Sequence, residues 1–235
     1  MDTITSNQID SAIAEYLALL DSQVSEHKLH AFLASHSYFF HMLLLDVVYP
    51  YPLYSKIRLG NDYETDFTSF IRSSFGPEWR FAEIESPKQP LFTAGGDPSA
   101  PLNHAIQQVR DWVRWCEENI TLARKLMPGL HYPMAFVFLG RRSELTPTIT
   151  EKLRQMNHQQ NTFRIRTLDA LAAMARGVKY FTGNGSYELP IPMKALSHVD
   201  LKRGVSAEAQ ETLTRRISEE LATRRRDQRM WDLDE

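Results

Sequence analysis

Cysteine is nearly absent from the sequence, which has one such residue, Cys116. An internal disulfide needs two cysteines and a cysteine-based zinc cluster needs more, so both are excluded. The sequence also lacks an apolar run of the roughly 20 residues that a membrane-spanning helix needs. The N-terminal residues MDTITSNQID are polar and acidic, unlike a signal peptide. These absences predict a cytoplasmic protein that does not act at a membrane.

Three further signatures of ligand binding are missing. The glycine-rich loop Thr93–Ala100 does not end in Gly-Lys-Ser/Thr, so it is not a phosphate-binding P-loop. Four histidines in the first fifty residues have spacings that fit no standard zinc motif, and core or surface positions account for them better. No motif that reads base edges is recognisable, so any choice of nucleic-acid target would depend on shape, ends or partners.

The length and composition suit one folded domain with appendages. The chain has 235 residues, 43% of them hydrophobic and 11% aromatic, which is enough for a packed core. Residues 1–109 carry 6 Lys or Arg against 13 Asp or Glu, whereas residues 110–181 carry 12 against 6. An acidic segment that could hold metal therefore precedes a basic segment that could hold a phosphate backbone. Charge scatter on solvated helices is the alternative.

A β-hairpin is predicted in the stretch YETDFTSFIRSSFGPEWRFAEIESPK, residues 63–88. The two segments Thr65–Ile71 and Trp79–Glu85 are rich in Phe and Ile, and a loop that contains Gly76-Pro77 interrupts the strand pattern between them. This combination is typical of two strands that fold back on each other.

The hairpin carries three carboxylates. Alternation along a strand places Glu83 and Glu85 on one face. If the loop folds the segments back symmetrically, Asp66 lies opposite or diagonal to Glu85. Crowded acids beside apolar side chains repel each other and lose hydration, and a divalent ion such as Mg²⁺ relieves that conflict. The alternative is the polar face of a solvated hairpin.

The same region resembles the Shedu family of prokaryotic anti-phage defence proteins. The segments IRLGNDYETDF, WRFAEIESP and LFTAGGDPSAPLNHAIQQVRDW carry the resemblance, which extends from about Ser25 to Arg176. It implies a core like that of PD-(D/E)XK nucleases, with an Asp on one strand, Glu-x-Lys on the next and Gln on a helix. Asp66 matches the strand aspartate, Glu83 the motif glutamate, and Gln108 the glutamine that positions water. The implied cofactor is Mg²⁺ or Mn²⁺.

Two positions leave alternatives open. Glu85 stands where the Glu-x-Lys motif has its lysine, so it would be a further metal ligand or the general base. Lys88 or Lys56 would then supply the missing cation. Glu26 follows Ser25, a predicted N-cap, and a carboxylate there favours the helix dipole. In PD-(D/E)XK-like folds an acid on the first core helix can also reach the metal, and Glu26 is its match here.

The strand and helix patterns predict an α/β fold class. A helix over residues 8–20 precedes the core, a helix from about Leu102 to Met127 follows the hairpin, and Met134–Gly140 is an apolar, central strand. We expect a PD-(D/E)XK restriction-endonuclease-like core, a mixed central sheet flanked by helices, with extra N- and C-terminal helices. The expected bounds are 1–24 for an N-terminal helical extension, 25–177 for the nuclease domain, and 178–235 for a C-terminal extension with a helix near 206–230.

Arginines mark the expected contact with the phosphate backbone of DNA. Arg141 and Arg142 directly follow the apolar strand, at the strand end where α/β folds commonly bind ligands. Arg110 and Arg114 lie on the preceding long helix. Solvated positions without a partner are the alternative for each arginine.

These residues and the resemblance together predict a Mg²⁺-dependent endodeoxyribonuclease that nicks or cleaves DNA in anti-phage defence. The resemblance also implies a homo-oligomer and a sensor or defence partner protein. The alternative from another class is a catalytically inactive nuclease-fold module that binds DNA or a partner protein in a defence complex. RNA cleavage stays open as well, because no residue pattern here distinguishes a 2′-hydroxyl.

Overall fold

The computed structural model of the chain describes residues 2–44, 51–74, 76–179, 186–189 and 192–204. The strands are β1 (Asp2–Thr5), β2 (Tyr54–Leu59), β3 (Tyr63–Ser73), β4 (Gly76–Ile84), β5 (Met134–Phe138), β6 (Phe163–Arg166) and β7 (Ser186–Leu189). The α-helices are α1 (Ser6–Asp21), α2 (Glu26–Ser35), α3 (Ala100–Glu118), α4 (Ile120–Leu126), α5 (Pro147–His158) and α6 (Asp169–Val178). Residues 198–204 are also helical. Within these ranges, no helix combines the length and the apolar character needed to cross a membrane.

One mixed sheet contains the strands in the order β2-β3-β4-β5-β6. The first three are antiparallel neighbours, whereas β4, β5 and β6 run parallel. Parallel neighbours need a crossover connection, which α3 and α4 supply before β5 and α5 supplies before β6. The side chains of β5 enter the cores on both faces of the sheet, as expected for an inner parallel strand. The mixed α/β class predicted from the sequence is confirmed.

Two apolar cores lie on opposite faces of this sheet. Helices α1, α2 and α6 cover one face, where they pack with side chains such as Phe67 and Ile84. Helix α3 covers the other face, where it packs with Phe70 and Phe81. Because both faces of β3 and β4 are covered, a charged side chain on these strands meets water only near a strand end.

The N-terminal segment packs into the first of these cores. The Tyr16 hydroxyl on α1 donates a hydrogen bond to the carbonyl of Leu168 (3.0 Å). Strand β1 pairs with β7 in a separate two-stranded sheet, with Asp2 opposite Leu189. The domain bounds at residues 24 and 177 stay predictions, and the predicted helix near 206–230 lies outside the described residues.

The prediction of a continuous helix from about Leu102 to Met127 is wrong, because the segment forms two helices. Asn119 interrupts it with a non-helical backbone conformation (φ −113°, ψ 36°). Its side-chain amide donates a hydrogen bond to the carbonyl of Trp115 (3.0 Å). Asn side chains compete with the backbone in this way and favour helix ends over helix interiors.

Candidate active site

Strands β3 and β4 separate at one end, and the carboxylate of Asp66 lies at the point of separation. Their paired residues end with Phe67 opposite Ala82, while β4 continues beside β5 as far as Ile84. Asp66 Oδ2 accepts the backbone N–H of Ile84 (2.8 Å). The register extended by one residue sets Asp66 opposite Glu83 and diagonal to Glu85. The hairpin therefore brings the three predicted acids to one end of the sheet.

Lys56 on β2 faces Asp66 from the other side. The register of β2 and β3 places Lys56 opposite Asp66, and Lys56 Nζ lies 2.5 Å from Asp66 Oδ1. The backbone of Lys56 is left-handed (φ 54°), a conformation that costs a non-glycine residue about 1–2 kcal/mol. It interrupts the alternation of β2, so that Tyr54 and Ile57 enter the same core. Strain of this kind commonly marks functional sites.

The buried Glu83 and the half-buried Glu85 share the site with Asp66. Glu83 is 6% exposed. Burial first, and then the charges of Asp66, Glu85 and Glu26, raise its pKa to about 10, against a smaller lowering by Lys56. Burial and the charges of Glu26 and Asp66 raise the pKa of Glu85 to about 7. Glu83 is therefore protonated at neutral pH in the metal-free protein, and Glu85 is poised to exchange a proton.

Glu26 reaches the same cluster from the first turn of α2. Ser25 caps this helix, because its hydroxyl accepts the N–H of Lys28 (3.4 Å). Burial and the charge of Asp66 raise the pKa of Glu26, against the lowering by Lys56. Glu26 thus lies at a helix N-terminus, where the charges of Asp66 and Lys56 act on it, and its role as a metal ligand stays a prediction. We call Glu26, Asp66, Glu83 and Glu85 the acidic cluster.

His30 is a site residue that the sequence did not single out. Its Nε2 lies 3.3 Å from the carbonyl oxygen of Asp66, and its ring stacks on Phe67 with 4.4 Å between the centroids. Burial lowers the pKa of His30, while the charge of Asp66 opposes that lowering. The ring fixes the backbone of β3 where it leaves β4. From the sequence, His30 could have been identified as a site residue only by placing it on the face of α2 that packs on Phe67.

The side chains of the acidic cluster fit a divalent cation by their chemistry. They offer several carboxylate oxygens, the ligands that Mg²⁺ takes in proteins. As they stand, however, no three His, Cys, Asp or Glu side chains among the described residues are arranged to bind one ion together. Asp66 already has two partners, since Oδ1 pairs with Lys56 and Oδ2 accepts the N–H of Ile84. A cation bound at Asp66 Oδ1 would compete with Lys56 for that oxygen.

Gln108 and Lys88, two further predicted catalytic residues, differ in burial, since Gln108 is half-buried and Lys88 is exposed. Gln108 is half-buried on α3, next to Val109, which packs in the core with Phe81. Its amide forms no hydrogen bond with a residue of the described ranges. Lys88 is exposed in the turn after β4, where its N–H donates to Ser86 Oγ (3.3 Å). Of the two lysines offered by the sequence as the missing cation, Lys56 is the one that contacts the acids.

The four arginines predicted to contact phosphate have protein partners. Arg141 is 19% exposed and forms ion pairs with Asp21 (2.9 Å) and Asp169 (3.3 Å). The remaining three are exposed, and their interactions are weaker or local. Arg110 lies over the ring of Phe163, Arg114 pairs with Asp111, and the N–H of Arg142 donates to Asp169. Their contact with DNA stays a prediction.

These features define a mixed α/β protein with a five-stranded mixed sheet and an acidic cluster where two of its strands separate. The chain belongs to the Shedu family, since the family model described as Shedu protein SduA, C-terminal, matches residues 23–172. The matched segment contains the whole mixed sheet and the acidic cluster, and the resemblance found in the sequence is thereby confirmed. Membership of this family suggests a role in anti-phage defence. No curated protein sequence matches the chain.

Proposed function

We propose that the protein is a metal-dependent endonuclease that nicks or cleaves DNA in anti-phage defence. One observation carries the proposal: the charges of Asp66, Glu85 and Glu26 all raise the pKa of the buried Glu83 at the end of β3 and β4, and Lys56 pairs with Asp66. Glu26, Glu83 and Glu85 form no ion pair with any described residue. Crowding acids around a buried glutamate in this way costs stability and shifts their pKa values, as is common at catalytic sites. A divalent cation would offset the negative charge of the acidic cluster that Lys56 does not neutralise.

Asp66 and Glu83 are the proposed ligands of Mg²⁺ or Mn²⁺, with Glu85 and Glu26 as further candidates. The bound ion would polarise the scissile phosphate and lower the pKa of water. Glu85, with a pKa of about 7, suits a general base that takes the proton of the attacking water near neutral pH. That attack forms a new P–O bond and breaks the bond to the leaving oxygen. Gln108 would position the water.

Lys56 is proposed to take the role of the motif lysine that Glu85 replaces. Its Nζ already lies within the cluster, and its side chain is 46% exposed, so it can turn towards a phosphate. An ammonium group beside the scissile phosphate stabilises the negative charge that develops during attack. The lysine would thus reach the site from β2 rather than from β4.

The catalytically inactive module remains the second candidate, and the same lysine supports it. If Lys56 holds Asp66 permanently, it replaces the cation instead of assisting it. The protein would then work by binding DNA or a partner in a defence complex. This alternative explains the ion pair of Lys56, but it gives no reason for keeping the buried Glu83 and the half-buried Glu85 next to Asp66. We propose a homo-oligomeric, cytoplasmic assembly in either case.

Nicking of a supercoiled plasmid tests the proposal. We expect the wild-type protein to convert the plasmid to open-circular or linear DNA with Mg²⁺ or Mn²⁺, and EDTA to stop the reaction. Asp66→Asn keeps an oxygen for the N–H of Ile84 but loses the negative charge, and we expect it to lose activity at least about 100-fold. The matched control is Asp62→Asn in the exposed β2–β3 turn.

The control should keep full activity, and both variants should melt close to the wild type. Equal nicking by the wild type and by Asp66→Asn would remove the acidic cluster from the chemistry. No nicking by the wild type with either metal, on plasmid or on linear DNA, would favour the inactive module.

A further inference from the structure

A basic groove opens beside Lys56, on the side away from the acidic cluster. It encloses a cavity of about 850 Å³ between β2, the β2–β3 turn, the end of α3, α4 and the helical residues 198–204. Its lining contains four Lys or Arg residues and one acid, Glu64. The four cations are Lys56, Arg58, Lys125 and Lys202. We call this feature the basic groove.

The walls of the basic groove are held together by backbone hydrogen bonds. The N–H of Ser55 donates to the carbonyl of Leu196 (2.8 Å). The N–H of Arg58 donates to His198 Nδ1 (3.3 Å). These bonds attach residues 196–202 to strand β2, so the segment that carries Lys202 has a fixed place opposite α4. The groove therefore needs no rearrangement to present its charges.

We infer that the basic groove binds the backbone of a DNA strand and leads it to the acidic cluster. The inference rests on the proposed nuclease function, which requires a phosphodiester to reach Asp66. Lys56 belongs to both features, because it lines the groove and contacts Asp66. A strand in the groove would therefore meet cations on several walls of the groove, and the last of them, Lys56, contacts the candidate active site. Lys and Arg side chains bind the phosphates of such a strand without regard to its sequence.

The accessible charge of the groove favours it over the arginines chosen from the sequence. Arg58 is 74% exposed, and its pair with Glu64 is long (3.7 Å), so a phosphate can replace that partner at little cost. Lys125 and Lys202 are exposed as well. Arg141, by contrast, is 19% exposed and holds two carboxylates. Exposed cations around one cavity bind a polyanion more readily than a cation already buried in ion pairs.

An acidic peptide is the other ligand that would suit these charges, and residues 231–235 of this chain (WDLDE) have that character. The observations favour DNA, because the groove leads to more carboxylates. The metal-free cluster repels either anion, but the metal-loaded cluster is proposed to act on a phosphodiester and has no such role for a peptide.

The test compares two triple variants of the full chain by fluorescence anisotropy with a short labelled DNA duplex in EDTA. The groove variant is Arg58→Ala/Lys125→Ala/Lys202→Ala. The matched control, Arg154→Ala/Arg176→Ala/Lys194→Ala, removes the same charge from exposed positions that line neither the groove nor the acidic cluster. We expect the groove variant to bind at least about tenfold more weakly and its salt-dependence slope to fall by about 3, roughly one for each phosphate that no longer has a cationic partner. The control should bind like the wild type.

Each other outcome has a definite meaning. An unchanged affinity of the groove variant, or an equal decrease in both variants, would overturn the inference. So would wild-type binding to RNA of the same sequence but not to DNA. Normal DNA binding by the groove variant together with loss of binding to a WDLDE peptide would assign the groove to the peptide. Groove-dependent DNA binding without metal-dependent nicking would refute the proposed nuclease and leave the groove standing.

Discussion

Replacing Glu83 with glutamine is expected to abolish nicking and, at the same time, to stabilise the metal-free protein above neutral pH. Glutamine has the shape of the protonated glutamic acid but cannot become a negatively charged ligand. We expect nicking to fall at least about 100-fold, since each group that stabilises charge in a transition state typically contributes that much. Mn²⁺, which should raise the melting temperature of the wild type, should raise that of Glu83→Gln much less.

The pH dependence of stability follows from the same residue. The folded protein raises the pKa of Glu83 from an ordinary 4.5 to about 10, so between these values the folded state holds a proton that the unfolded state releases. The contribution of Glu83 to folding stability is therefore fully present below about pH 4.5 and is lost as the pH rises towards 10. One proton gives a slope of up to about 1.4 kcal/mol per pH unit. Glutamine removes this slope.

Denaturation of the metal-free protein at pH 5 and pH 8 measures the difference. The stability advantage of Glu83→Gln over the wild type should be larger at pH 8 than at pH 5. The control is Glu78→Gln, on the same strand but with a side chain that is 52% exposed, and it should match the wild type in stability and nicking. A variant Glu83→Gln that nicks normally would contradict the role of Glu83 as a ligand.

Replacing Lys56 with methionine is expected to separate the two candidate functions. If Lys56 stabilises the phosphate, Lys56→Met should nick about 100-fold more slowly than the wild type. The variant should also bind Mn²⁺ more tightly, because no ammonium group competes for Asp66 Oδ1. Without metal it should be less stable by about 1–2 kcal/mol, since Asp66 loses its partner but keeps the N–H of Ile84. Isothermal titration and nicking rates measure these effects.

Lys179→Met provides the control for the removal of an ion pair. Lys179 pairs with Asp10 (2.6 Å), far along the chain from the acidic cluster, so this substitution should leave nicking and Mn²⁺ affinity unchanged. Nicking by Lys56→Met at the wild-type rate would exclude a catalytic role for Lys56. Faster nicking would show that Lys56 blocks the site.

The hairpin and the position of its acids could be predicted from the sequence because they depend on local signals. Gly76-Pro77 was predicted in the loop but begins β4, with Gly76 opposite Ser73 and Pro77 opposite Arg72, and the register from there brings Asp66 to Glu83 and Glu85. The position of the hairpin and of its acids follows from alternation and turn chemistry within about 25 residues. It can therefore be predicted without knowledge of contacts between distant parts of the chain.

The partner of Asp66 could not be predicted with the same certainty. Lys56 was one of two candidate cations, and counting back from the turn at Gly60 sets it opposite Asp66. Its left-handed backbone, however, breaks the alternation on which such counting relies. Burial of Glu83 likewise depends on helices from both ends of the chain. Long-range packing decides these features, and the pairing of β1 with β7 escaped prediction for the same reason.

Crystals soaked in Mn²⁺, with the ion located by its anomalous scattering, test the central claim most directly. The account predicts one strong peak within ligand distance of the carboxylates of Asp66 and Glu83, with Lys56 Nζ moved away from Asp66 Oδ1. The contradicting result is no peak at a Mn²⁺ concentration that supports nicking, with Lys56 Nζ still bound to Asp66.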